Sequence, residues 1–105
     1  MKIINLTPHE LNIHVGDTII SIPPTLPPAR RVETWVDAPS VAGIPVKRKN
    51  YGALTGLPDP QPDTIFIVSL AAAQAVEGRD DVYIPGEAVR DETGRIIGCV
   101  GLAKL

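Results

Sequence analysis

Proline constrains this chain more than any other residue. Eleven of its 105 residues are proline, about twice the usual share of roughly 5%, and each one fixes φ and removes a backbone donor. Four fall within Pro23-Pro24-Thr25-Leu26-Pro27-Pro28, a segment that can be neither helix nor central strand. It is expected to run extended, in polyproline fashion, across the surface. Pro58, Pro60 and Pro62 interrupt the chain again. Long helices are thereby excluded from most of the sequence, which leaves short strands joined by stiff connections.

Periodicity locates those strands. Glu10 to Val15 alternates, with Leu11, Ile13 and Val15 on one side and Glu10, Asn12 and His14 on the other, the pattern of a half-buried strand. Gly16-Asp17 supplies a turn, and Thr18 to Ile22 pairs back as a hairpin. Ile3 to Leu6, Arg31 to Val36 with the only tryptophan, Trp35, and Ile44 to Lys49 are further strand candidates. Asn50 to Asp63, with two glycines and three prolines, reads as a loop. Thr64 to Val68 is β-branched and aromatic throughout, which marks the most central strand. Ser69 is placed to cap a helix over about 69–77, and Gly78 to end it. Val82 to Ile84 and Ala88 to Arg90 are short extended pieces separated by Pro85-Gly86. Asp91-Glu92-Thr93-Gly94 forms a type I turn leading into a strand over 95–100. The expected fold is α+β and mostly β: an antiparallel sheet, sandwich or small barrel with one short helix, in a single domain over 1–105.

Composition narrows the function classes. A net charge of −2 argues against nucleic-acid binding that depends on phosphate neutralisation, and Lys47-Arg48-Lys49 is a short basic run that reads as a solvated strand end. Cys99 is alone, so no internal disulfide forms; its apolar neighbours mark it as a small buried residue, and a reducing cytoplasm suits it. The first residues turn polar too soon for a signal peptide, and no apolar run approaches the ~20 residues of a membrane span. The expectation is a soluble cytoplasmic protein.

Enzyme templates are missing. His9 and His14 do not have metal-ligand spacing with each other or with Cys99, so no metal and no cofactor are expected. There is no HExxH, phosphate loop or GxGxxG, and Ser69 lacks a nucleophile elbow. Binding is expected in place of catalysis. Pro8 holds Thr7 extended and sets the directions in which Asn5, Thr7 and His9 project, either as a polar turn or toward a ligand. Ser69, where strand meets helix, can cap the helix or take an anion. Arg79, Asp80, Arg90 and Asp91 lie in an arginine-aspartate concentration that reads as surface ion pairs. Alternatively, arginines there clamp phosphate while carboxylates accept from ribose hydroxyls. Tyr51 or Trp35 can stack a base.

Taken in order, Asn5-Leu6-Thr7-Pro8-His9, Tyr51-Gly52, Gly56-Leu57-Pro58, Ile67-Val68-Ser69, Gly78-Arg79-Asp80-Asp81, Pro85-Gly86, Val89-Arg90-Asp91 and Gly94 to Cys99 resemble a pattern of small proteins of tailed phages and prophages. In size, acidity and clustered Arg and Asp the chain also resembles phage proteins that sequester the nucleotide signals of bacterial immunity. Cyclic ADP-ribose isomers made by TIR-domain enzymes are such signals. The resemblance implies a non-enzymatic anti-defence protein that binds an ADP-ribose-type ligand. Ser69, Arg79 and Arg90 would contact phosphate, and Asn5, Thr7, His9, Asp80 and Asp91 ribose or base. Because a domain of 105 residues offers little concave surface, a homo-oligomer with pockets near subunit boundaries is expected, for which Leu102 to Leu105 offers an apolar tail. A virion structural or assembly protein, and a small enzyme cleaving the same signals with His9 as general base, are the alternatives.

Overall fold

The computed structural model describes every residue from Met1 to Leu105. Its most buried strand is the one the β-branched run foretells. In β6 (Thr64–Ile67), Thr64 and Phe66 face one side and Ile67 the other, and all three are buried. The remaining strands are β1 (Lys2–Asn5), β2 (Leu11–Val15), β3 (Thr18–Ile22), β4 (Arg30–Val41), β5 (Ile44–Thr55), β7 (Val82–Arg90) and β8 (Ile96–Ala103). The one helix, α1, covers Leu70–Ala73, and turn-type bonds from Ala75 and Val76 extend it slightly. Ser69 caps it, its Oγ accepting from the Ala72 N–H at 3.2 Å. The fold is α+β and mostly β.

Six strands form one curled sheet in the order β1-β6-β7-β8-β2-β3, a half-barrel, and β4 and β5 form a separate two-stranded ribbon. The sheet is mixed where an antiparallel one was expected: β1 with β6, β6 with β7 and β2 with β8 run parallel. Parallel pairs join segments distant in sequence and leave no local signature. β6 stands second in the sheet, and it is buried because α1 covers one face and the curl of the sheet covers the other. Phe66 and Val68 pack with Leu6, Ala29, Ala72, Ala73 and Val82, whereas Ile67 meets Ile13 and Cys99 inside the curl. Cys99 is buried, as its neighbours suggested.

Asn5 fastens the open side of the curl. Its side chain is fully buried, and its amide nitrogen donates to the carbonyls of His9 (2.9 Å) and Ile22 (3.0 Å). Its carbonyl oxygen accepts from the Thr7 N–H (2.9 Å) and hydroxyl (2.7 Å). Ile22 ends β3, the edge strand opposite β1, so this side chain links the two ends of the sheet. The proline-rich segment is held at the same place: Thr25 N–H donates to Asn5 O (3.0 Å), and Thr25 Oγ1 accepts from Asn5 N–H (3.1 Å). Thr25 carries one of the few donors that the prolines leave.

Three further expectations are corrected. β5 continues through Tyr51 and Gly52 to Thr55, where a loop was expected from residue 50, because β4 supplies the ladder partners. β7 passes through Pro85-Gly86 as one strand; the glycine is required because a Cβ there would collide with the Val100 carbonyl. Leu102 and Ala103 pair with Pro85 and Ile84, so they belong to the sheet and do not form a free tail. The β2–β3 turn matches expectation, with Gly16 at φ 59° in the first central position that a II′ turn reserves for glycine. The β4–β5 turn places Ala42 (φ 50°) and Gly43 (φ 77°) in the left-handed region, the signature of type I′. No helix is long and apolar enough to cross a membrane.

Candidate functional site

The base of the β4–β5 ribbon forms one wall of a concave pocket. Ala29 is drawn into the core by its N–H bond to Leu6 O (3.0 Å), and Gly56, in the left-handed region at φ 86°, lets β5 leave beside it, where a Cβ would press on Pro28 O at 3.2 Å. This crossing sets the first residues of β4 beside Ser69 and α1. The pocket, of about 340 Å³, is lined by Pro8, Arg30, Arg31, Glu33, Tyr51 and Ser69, with alanines of the helix as its floor.

Arg31 and Glu33, with Lys49 beside them, lie on the face of the ribbon that carries Tyr51, and Arg30, the neighbour of Arg31 in the strand, reaches the pocket from the other face. A register shift between Arg31 and Glu33 sets Glu33 opposite Tyr51. The Arg31 guanidinium lies 5.1 Å over the Tyr51 ring and donates to the carbonyls of Gly52 (3.2 Å) and Tyr51 (3.4 Å). The Lys49 ammonium pairs with Glu33 at 3.1 Å and sits 5.2 Å from the Tyr51 ring and 5.4 Å from the Trp35 ring. The Glu33 carboxylate, with help from Tyr51, holds that ammonium above the usual lysine range. Neither Arg30 nor Arg31 has a carboxylate partner. A cation without an internal counter-charge, stacked on an aromatic ring, is suited to a phosphorylated and planar ligand. The Ser69 hydroxyl uses a lone pair on α1, and its own proton remains available to an acceptor.

The residues singled out from the sequence do not gather in one place. Tyr51 and Ser69 share this pocket. Asn5 and Thr7 are buried, with their polar atoms committed to each other and to the carbonyls of His9 and Ile22. His9 lines a different and largely apolar pocket, of about 510 Å³, with Pro85, Ile96 and Ile97. Arg79 and Asp80 line a third, of about 270 Å³, beside Lys104, whose ammonium binds Asp80 O at 3.1 Å. The Arg79 guanidinium grips Asp81 with two bonds (2.8 and 2.9 Å) and donates to Pro58 O (3.0 Å). That pair raises the Arg79 pKa and holds the Asp81 carboxyl below its ordinary range.

Arg90 and Asp91 build the β7–β8 turn. Arg90 donates to Gly94 O (2.7 Å), and Asp91 Oδ1 accepts from the Thr93 hydroxyl (2.7 Å) and from the N–H groups of Thr93 and Arg95. The Thr93 hydroxyl and the Arg95 N–H hold the Asp91 carboxyl below its ordinary range. These charges are spent on neighbours two to four residues away, which is why their closeness in sequence does not make a site. Arg30, Arg31 and Glu33 were not singled out. The available signal was an arginine pair following the proline-rich segment and opening a strand whose alternate positions carry Glu33 and Trp35.

No group of three or more His, Cys, Asp or Glu side chains is arranged to hold a metal ion. Comparison of the chain with protein-family models, with curated proteins and with solved structures finds no match.

Proposed function

We propose that the protein is a phage-encoded, non-enzymatic binding protein that sequesters a nucleotide immune signal of the ADP-ribose type in the pocket at the ribbon base. The observation that carries this reading is the Arg31 guanidinium over the Tyr51 ring, in one pocket with Ser69 and without a carboxylate at ion-pair distance. Arg30 and Arg31 fit a pyrophosphate, the Tyr51 ring and the guanidinium plane offer flat faces to a base, and Glu33 accepts from ribose hydroxyls. A volume of about 340 Å³ lies at the small end of ligand pockets, enough for part of such a molecule. The phage setting and the choice of signal rest on the sequence resemblance.

Titration calorimetry with ADP-ribose, its cyclic isomers and cyclic dinucleotides tests the proposal. One of them should bind, be recovered intact after the complex is denatured, and lose about tenfold or more in affinity in Arg31→Ala and Tyr51→Ala. Heat from none of them overturns the reading, and recovery of a cleaved product replaces it with catalysis. A second reading, a structural or assembly protein of the virion, is favoured by the largely exposed β4–β5 ribbon; detection of the chain in purified particles would support it.

A further inference from the structure

The β4–β5 ribbon is too bare for a chain that works alone. Its twelve-residue strands reach about 40 Å at ~3.3 Å per residue, and beyond its base it packs on nothing but itself. Val32, Trp35, Val36, Val41 and Ile44 are all exposed, Trp35 by 60% and Ile44 by 64%. An isolated two-stranded ribbon is marginal in water. The radius of gyration is 16.6 Å, against roughly 13 Å expected for a globular domain of this length.

Surface area gives the size of what is uncovered. The chain exposes 7304 Å², whereas a folded monomer of 11.2 kDa exposes about 5,700 Å². The excess, about 1,600 Å² per chain, amounts to about 3,200 Å² across two chains, within the range of obligate homodimers. Charge indicates which surfaces meet. Residues 30–55 carry Arg30, Arg31 and Lys47-Arg48-Lys49 against Glu33 and Asp37, a net of +3, which leaves −5 on the rest of a chain whose net charge is −2. The rest also presents apolar side chains. Register places Ile19, His14, Val100 and Glu87 in one row across β3, β2, β8 and β7, and Ile19 and Val100 in that row are exposed.

We infer that the occupant of this surface is a second copy of the chain: each ribbon lies across the outer β3-β2-β8-β7 face of its partner, in a reciprocal two-fold dimer. Ribbon against ribbon would set +3 against +3, whereas ribbon against body sets +3 against a body of −5 whose outer row presents Glu87 beside Ile19 and Val100. The inference does not depend on the nucleotide reading, because sedimentation and calorimetry succeed or fail separately.

Sedimentation equilibrium of the full chain should return twice the 11.2 kDa monomer mass. Lys47→Glu combined with Arg48→Glu, neither of which lines the pocket, should weaken dimerisation about tenfold or more while the circular dichroism spectrum stays folded; Glu87→Lys combined with those two should recover part of the loss. As a measurement that needs no variant, carbodiimide coupling of mixed light- and heavy-isotope chains should yield mixed-label links from Lys47 or Lys49 to Glu87. A monomer at micromolar concentration, a dimer indifferent to the ribbon charges, or mixed-label links confined to ribbon against ribbon would overturn the inference.

Discussion

Replacing Asn5 with alanine tests whether one buried amide fastens the half-barrel. The substitution removes two donors to the His9 and Ile22 carbonyls and the acceptor for both polar groups of Thr7, at a position with no solvent exposure. Each such bond contributes a net of about 0.5–1.5 kcal/mol, and a buried partner left without one costs about 1–3 kcal/mol. The expected loss is about 3–5 kcal/mol, a large part of the 5–15 kcal/mol typical of a domain. Only 13 residues are buried, so little core is available to absorb it. Urea unfolding at fixed protein concentration, followed by far-ultraviolet circular dichroism, is the assay. Trp35 fluorescence would report the exposed ribbon instead. With a slope of about 1–1.5 kcal/mol per molar urea, the midpoint should fall by about 2–5 M. Asn5→Asp keeps the shape but points an oxygen at two carbonyls; it should be comparably destabilised at neutral pH and partly rescued as acid protonates the carboxyl. A loss below about 1 kcal/mol in Asn5→Ala, or an Asn5→Asp defect that ignores pH, would refute the clasp.

Two further outcomes follow from the geometry. Asp81 has a depressed carboxyl pKa because Arg79 binds it, and the two side chains are only 18% and 19% exposed. The stabilisation is therefore present above the ordinary carboxyl range and is lost as pH falls from about 4 through the lower folded-state value. Asp81→Asn should cost about 1.5–3 kcal/mol near pH 7 and flatten the acid limb of the stability profile; parallel wild-type and variant profiles would exclude this role. Ala42 occupies a left-handed position that a type I′ turn gives to Asn or Gly, so Ala42→Asn should slow amide exchange at the ribbon tip by about 2–5-fold, equivalent to about 0.5–1 kcal/mol. Unchanged or faster exchange there would mean that the turn is not under strain.

Much of the fold could be read where the physics is local. The alternation from Leu11 to Val15, the Gly16-Asp17 turn, the β-branched run of β6 and the cap at Ser69 each act within a few residues, and each stands where expected. What escaped depends on partners far away. Tyr51 to Thr55 resembles a loop until β4 lies beside it, and Pro85-Gly86 resembles punctuation until the Val100 carbonyl explains the glycine. The site divides in the same way. Ser69 and Tyr51 were legible because a cap and an exposed aromatic are properties of single residues, whereas the Arg31 stack exists only through the β4–β5 register. Arg79, Arg90 and Asp91 stand outside this pocket for the opposite reason, since their side chains bond to nearby charges and turns.

The parallel pairing of β2 with β8 also governs how the chain reaches its fold. Ile13 and His14 must find Cys99 and Val100, near the other end of the sequence, while β1 must find β6 across the entire ribbon. Such contacts give a high contact order, and their loop-closure entropy is lost before their packing energy is gained. The β2–β3 hairpin can form early, but until β8 arrives its inner edge stands open and Ile13 has nothing to cover it. The topology therefore predicts a late closure of the sheet, and makes the half-closed chain, with unpaired edges and a bare ribbon, the species expected to be most exposed to wrong partners.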